Sequence, residues 1–328
     1  MFARFQRPSP AVVGGLAAAV TVLIWTSFIV VARATAHQHL TPFDIAFMRF
    51  VGAGAVLLPW GWWLVRRQRT TEPGRPDWLG LSPLSARLTA QVGLVGGVLY
   101  ACIAYSGFFY APASHASVLM PGSLPLWTTL LAAWVLRDRI TRHRALGLGL
   151  IVGGGLLVGG ASLLRAFDGG DVWKGDLLFL LAGFTWANYS ILARRHALPA
   201  VQATVAISVF AALTFVPVYA LLAALGAIDS GLGRAPWTEW LFQAVFQGVG
   251  SVVISGITFT QMVRHFGPVR STMITSLVPG LSALGAVSLL GEPLHPHLLI
   301  GLALVTLGIV FGVRAAAPNP PLASAPTR

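Results

Sequence analysis

The sequence predicts an all-α membrane protein of ten transmembrane helices, arranged as two inverted five-helix repeats. Three observations carry that prediction: the composition, an internal repeat, and a charge difference between alternate loops. Of 328 residues, 55% are hydrophobic and only 10% are charged, against roughly 25% charged in a soluble domain. Little of such a chain is meant for water, so it reads as a polytopic membrane protein whose first partner is the lipid bilayer. The formal charge of +12 does not signal nucleic acid. The arginines sit in short gaps between apolar runs rather than on one soluble face.

About 20 apolar residues cross a bilayer. Ten runs of that kind lie near 11–32, 43–65, 88–110, 114–136, 143–162, 176–194, 200–225, 240–263, 271–290 and 297–314. The first follows Arg4 and Arg7 and ends in Ala-Arg-Ala and Ala-Thr-Ala, which imitates a cleaved leader. It is longer than the roughly 7–15 apolar residues of a signal segment, so it is expected to stay as a helix. The second run carries Arg49. The third carries Cys102, the single cysteine, which cannot form an intrachain disulfide and reads as a small core residue. The fourth is interrupted by Pro121 and Pro125, and the ninth by Pro279. A mid-span proline removes a backbone donor, leaving either a static kink or a bend used in function.

The fifth and tenth runs space glycines four apart: Gly149 to Gly153, Gly155 to Gly159, Gly308 to Gly312. That spacing lets helix backbones approach closely. No GxxxxGK[ST] occurs, so a phosphate loop of that type is excluded. The loop 66–87 is polar, the tail 315–328 is Pro/Ala-rich and expected to be disordered, and no segment is large enough for a soluble domain.

The repeat is explicit. Residues 134–155, WVLRDRITRHRALGLGLIVGGG, lie over 288–309, SLLGEPLHPHLLIGLALVTLGI, at an offset of 154 without a gap. Asp138 falls on Glu292, Gly147 on Gly301, Gly154 on Gly308 and, upstream, Pro125 on Pro279. Around Trp25 the chain reads WTSFIVVAR and around Trp186 it reads WANYSILAR, at an offset of 161. The repeats are therefore placed at 1–162 and 163–314, with 315–328 as a cytoplasmic tail. An odd number of spans per repeat puts the second copy into the membrane upside down.

Charge agrees with that inversion. Seventeen Lys/Arg fall on one side: Arg4, Arg7, Arg66, Arg67, Arg69, Arg75, Arg87, Arg137, Arg139, Arg142, Arg144, Arg194, Arg195, Arg264, Arg270, Arg314 and Arg328. Four fall on the other: Arg33, Arg165, Lys174 and Arg234. Positive residues stay cytoplasmic, so both termini are expected inside. The hairpin at 291–297 is expected outside, which is why it lacks the arginines of its counterpart at 137–144.

Together these features resemble the EamA-type family of the drug/metabolite transporter superfamily, over residues 11–314. The matching pieces are the tryptophan-bearing first helix of each half and LTPFDIAFMRF (40–50). SLPLWTTLLAAWVLRDRIT (123–141) and SLVPGLSALGAVSLLGEPLH (276–295) also match, each followed by a glycine-rich helix. Arg137-Asp138-Arg139 departs from the more typical Gly291-Glu292-Pro293, a departure not expected to disturb the fold. The resemblance implies a secondary transporter, in a bacterial inner membrane, for small metabolites such as amino acids or drug-like amphiphiles, often exported. Transport would be by alternating access, with the substrate near the midplane between the halves.

Polar side chains are costly in hydrocarbon and so are candidate substrate-binding residues. Arg49 reads either as an anchor, snorkelling or paired with Asp44, or as a cation facing a cavity that meets a substrate carboxylate. Trp25 and Trp186 read as core packing or as matched cavity walls. Tyr100, Tyr105, Asn188, Gln247 and Ser251 need hydrogen-bond partners, from a wet cavity or from neighbouring helices. The polar neighbours of the two tryptophans, Thr26, Ser27, Thr185, Asn188 and Ser190, favour a cavity. His115 reads as structural, and His295-x-His297 has no third ligand for a metal. No carboxylate lies deep in a span, so the usual Asp/Glu proton relay lacks its residue.

No catalytic residue, cofactor or metal is expected, and the sequence does not specify an oligomeric state. An intramembrane enzyme is the first rival. HExxH is absent and no span offers a Ser/His pair, which disfavours it. A non-transporting scaffold would have no use for polar and aromatic residues at the midplane of two inverted halves.

Overall fold

The computed structural model describes residues 10–314; Arg4, Arg7 and the tail 315–328 lie outside the described residues. Backbone polar groups inside a bilayer must be satisfied within the chain, and the chain is accordingly built of helices. These are α1 (Pro10–Thr35), α2 (Pro42–Thr71), α3 (Ala86–Tyr110), α4 (Ala113–Val135), α5 (Arg142–Arg165), α6 (Val172–Arg195) and α7 (Ala200–Ala224). Next, α8 runs end to end through Trp237–Gln243, a π-helical Ala244–Ile254 and Ser255–Thr275; α9 (Leu277–Leu290) and α10 (Pro296–Arg314) follow. The first eight are long and apolar enough to cross a membrane, whereas the apolar stretches of α9 and α10 are shorter. The molecule is thus an all-α, multi-helix membrane bundle.

One boundary differs from the sequence reading. The loop expected at 264–270 is helical, and the chain breaks at Ser276, so α9 is 14 residues and starts at Leu277. Gly267-Pro268 looks like a breaker. A proline already has a helical φ and removes one donor, and continuing the helix satisfies the remaining backbone groups internally.

Helix starts and stops follow local chemistry. Thr41 caps α2 in a reciprocal box with Asp44, and Pro42 opens the first turn. Asp44 is wholly buried and accepts further bonds from Tyr219 Oη (2.8 Å), Ser230 Oγ (2.6 Å) and Gly231 N (2.7 Å). It ties the start of α2 to α7 and to the loop before α8. The chain turns out of α4 at Arg137 (φ 58°) and out of α9 at Gly291 (φ 67°), the same left-handed turn at repeat-matched positions.

Packing is closest where glycines meet. A Cβ on Gly147 would lie 2.7 Å from Gly308 O, and one on Gly308 would lie 2.5 Å from Gly147 O. Gly154 and Gly301 oppose each other in the same way, at 2.6 and 2.8 Å. The backbones of α5 and α10 therefore touch along this seam. Elsewhere, α1 packs on α8 and α9, while α6 packs on α3 and α4. The main core joins Phe28, Phe50, Tyr105, Phe108 and Phe179.

Candidate functional site

The site is built where α2 crosses α8. A Cβ on Gly52 would come within 2.0 Å of Ala244 O, and one on Gly248 within 2.7 Å of Arg49 O, so only glycine allows this approach. The crossing sets Arg49, on α2, beside the π-helical stretch Ala244–Ile254 of α8. A π segment inside an α-helix frequently marks a functional site. Here it carries both Gln247 and Ser251.

Four of the predicted residues converge. Arg49 is 8% exposed. Its Nη1 donates to Tyr105 Oη (3.3 Å), Gln247 O (3.5 Å) and Ser251 Oγ (3.5 Å). Tyr105 donates in turn to Gln247 Oε1 at 3.0 Å. The Arg49 guanidinium also lies 5.7 Å from the centroid of the Phe28 ring, a cation–π distance. All of these partners are neutral, and the three Arg49 bonds exceed the 2.7–3.2 Å usual for N–H···O contacts. Among the described residues no carboxylate pairs with Arg49. Gln247 Nε2 is buried without a hydrogen-bond partner among them.

Arg49 takes neither of the anchoring arrangements the sequence suggested. It is buried rather than snorkelling, and Asp44 is occupied by the start of α2, Tyr219, Ser230 and Gly231. The two lie five positions apart along α2, which turns them roughly 140° apart on a helix of about 3.6 residues per turn.

The aromatic residues form two flanking pairs. Trp25 stacks on Phe259 of α8 at 5.3 Å, and Trp186 meets Tyr100 of α3 at 4.8 Å. Trp25 thus links α1 to α8, and Trp186 links α6 to α3. Tyr100 Oη donates to Met120 Sδ at 3.9 Å. Asn188 does not join the centre: its amide donates to Phe184 O, one turn back on its own helix, at 2.9 Å. Thr185 and Ser190 also bond their own helix, at Ala182 O and Trp186 O. Their polarity therefore does not by itself require a wet neighbour.

Sequence reasoning missed a second polar cluster. Asp176, near the start of α6, is 3% exposed. It bonds His115 Nδ1 at 2.8 Å and accepts from Ser162 Oγ. Its place at the very edge of an apolar run hid it. His115 links α4 to α6 through this contact.

A buried cation among neutral donors and aromatic rings thus lies within a bundle of long apolar helices. The EamA-like transporter family matches the chain over residues 12–160 and again over 173–314. The chain belongs to that family, within the drug/metabolite transporter superfamily, a class of membrane transporters and not of enzymes. A protein named as a transporter from Archaeoglobus fulgidus is 29% identical over 53% of this chain, which spans only 55% of that relative's length. The Bacillus subtilis transporter YyaM is 24% identical over 67% of this chain and 70% of its own. A Pseudomonas aeruginosa protein is 30% identical over 71% of each. One solved crystal structure, 22% identical, shares the fold with a TM-score of 0.55 over 91% of this chain and 96% of that one.

Proposed function

We propose that the protein is a secondary transporter exporting small metabolites that carry a carboxylate and an apolar part, amino acids above all. The observation that carries this reading is Arg49: a buried guanidinium held by long bonds to neutral groups, with no carboxylate partner among the described residues. An unpaired cation in a membrane protein is costly. A ligand carboxylate would relieve that cost through charge-assisted, bidentate bonds, and the unmet Gln247 Nε2 offers it one more donor. Trp25, Tyr100 and Trp186 supply flanking aromatic surface for the apolar part.

The two halves would cross the membrane as five spans each, inverted, with both termini cytoplasmic, and rock about Arg49 to expose it to each face in turn. Reciprocal contacts support that symmetry. Gly147 matches Gly301 and Gly154 matches Gly308, yet Gly147 touches Gly308 and Gly154 touches Gly301, as a two-fold axis requires. The π segments Leu94–Val98 and Ala244–Ile254 also overlap at the 154-residue offset.

Proteoliposomes loaded with unlabelled amino acids, then given radiolabelled ones outside, test the reading. Wild-type protein is expected to exchange at least one zwitterionic substrate and Arg49→Gln to lose most of that exchange. Equal exchange by folded Arg49→Gln contradicts the assignment.

A further inference from the structure

The halves carry one more matched feature, at the membrane faces and away from Arg49. Arg33 lies in the last turn of α1 and Arg194 in that of α6, and the 161-residue offset that relates Trp25 to Trp186 relates these arginines too. Glu292 and Asp138 are related by the 154-residue offset. Each carboxylate follows a left-handed residue, Gly291 or Arg137. Each also donates its backbone N–H to the carbonyl six residues back, Glu292 to Ala286 O and Asp138 to Ala132 O, both at 3.2 Å. Each carboxylate then meets the arginine of the opposite half: Glu292 Oε1 lies 3.8 Å from Arg33 Nε, and Asp138 Oδ2 lies 2.8 Å from Arg194 Nη1. A single exposed ion pair argues little. Two pairs built alike from repeat-matched residues, each bridging the halves, argue for a shared role.

They differ in depth. Glu292 also accepts the backbone N–H groups of Ala113 (2.8 Å) and Ser114 (2.9 Å) at the start of α4. A carboxylate there meets orphan donors and the positive end of the helix dipole. Arg33 in addition donates to Phe108 O at 2.6 Å. The Glu292 side chain is 11% exposed against 30% for Asp138. The position matching Ser114 is Pro268, which has no N–H and lies within the helical Ser255–Thr275.

We infer that Arg33–Glu292 and Arg194–Asp138 are mirrored latches that close opposite faces of the transporter in alternation, and that the richer Glu292 latch makes the outside-closed form the resting state. The inference rests on the alternating-access reading above. Opening the outer face separates the α9–α10 turn from α1 and α4, and breaks two charge-assisted bonds as well as the ion pair. Opening the inner face breaks one partly exposed pair. The difference biases the population toward outer closure.

Ser117 on α4 and Ser271 on α8 are matched by the same offset and are both buried, at 0% and 1% exposure. Each is replaced singly by cysteine in a Cys102→Ser background and labelled with a membrane-impermeant maleimide in right-side-out and inverted vesicles. With the latches intact, Ser117→Cys is expected to react slowly from outside and Ser271→Cys faster from inside. Glu292→Gln should speed Ser117→Cys labelling at least about tenfold, the lower end of the scale of one charge-assisted bond, and slow Ser271→Cys. Arg33→Gln leaves the α4 cap in place; it should shift both rates the same way by a smaller factor and serves if Glu292→Gln does not fold. Asp138→Asn should shift them oppositely, and exchanging Asp138 with Arg194 should restore the original rates. Opposed responses of the two sites to an amino-acid mixture, with no response to any latch variant, overturn the latches and leave alternating access standing. Sites that open and close together under every condition overturn alternating access itself.

Discussion

Arg49 is the residue on which the account turns. Arg49→Lys should recover only part of the exchange lost in Arg49→Gln, because a point charge cannot grip a carboxylate through two parallel bonds. The two variants are compared by initial exchange rate at equal protein in the vesicles; full activity of Arg49→Lys would remove the bidentate contact. Arg49, Tyr105, Gln247 and Ser251 were legible as polar residues inside apolar runs. Their convergence was not, since it depends on a glycine-lined crossing of two helices 198 positions apart at Arg49 and Gln247. The Asp44 alternative could be rejected by helical geometry alone, since positions five apart do not share a face. Asn188 looked functional because an amide in hydrocarbon needs a partner, yet its own helix provides one.

Arg137 gives an independent prediction at the same scale. It holds φ 58° where its repeat counterpart is Gly291. Left-handed geometry costs an L-residue about 1 kcal/mol that glycine avoids. Arg137→Gly should therefore raise the thermal midpoint in detergent by a few degrees, roughly 2–4 °C per kcal/mol for chains somewhat shorter than this one. A lowered midpoint would mean that the side chain contributes more than the strain it carries.

Among the elements, the glycine seams decide whether the bundle closes. Gly248→Ala puts a methyl 2.7 Å from both Arg49 O and Ala53 N, whereas Gly149 has nothing within 4 Å. Gly248→Ala should destabilise by about 1–3 kcal/mol through overpacking and impair exchange, while Gly149→Ala stays near neutral on both. Thermal unfolding followed by tryptophan fluorescence separates them; equal midpoints would contradict the close crossing. A tight pair of glycine-rich helices does form, α5 with α10, but of the glycines spaced four apart only Gly308 and Gly312 lie in it; on α5 the seam uses Gly147 and Gly154, while Gly149 and Gly153 face nothing within 4 Å. The π segments gave no such notice. A one-residue change in hydrogen-bond register leaves no trace in hydropathy. The misplaced loop at 264–270 has the same origin: Gly-Pro and two arginines look like an ending, and only the packed helix shows that the chain continues.

For the whole molecule, composition and repeat were the legible parts, because both are sums over many residues and tolerate local error. The all-α membrane bundle follows from them; the family rests on the resemblance of particular stretches, LTPFDIAFMRF among them, and on the family match. The shortness of α9, at 14 residues, is a tertiary outcome and was not readable. Orientation is tested by reporter fusions. A reporter inserted after Arg75 should read cytoplasmic and one inserted after Gly233 external; the same side for both would break the inverted-repeat account, and the reverse pattern would break the cytoplasmic placement of the termini. The most direct measurement concerns the centre itself. Ser251→Cys, in a Cys102→Ser background, places a thiol beside the Arg49 guanidinium with little change of size. Impermeant maleimide should label it from either face of the membrane, and saturating transported amino acid should slow labelling from both. Labelling from one face alone, or from neither, would contradict a binding site that the two halves expose in turn.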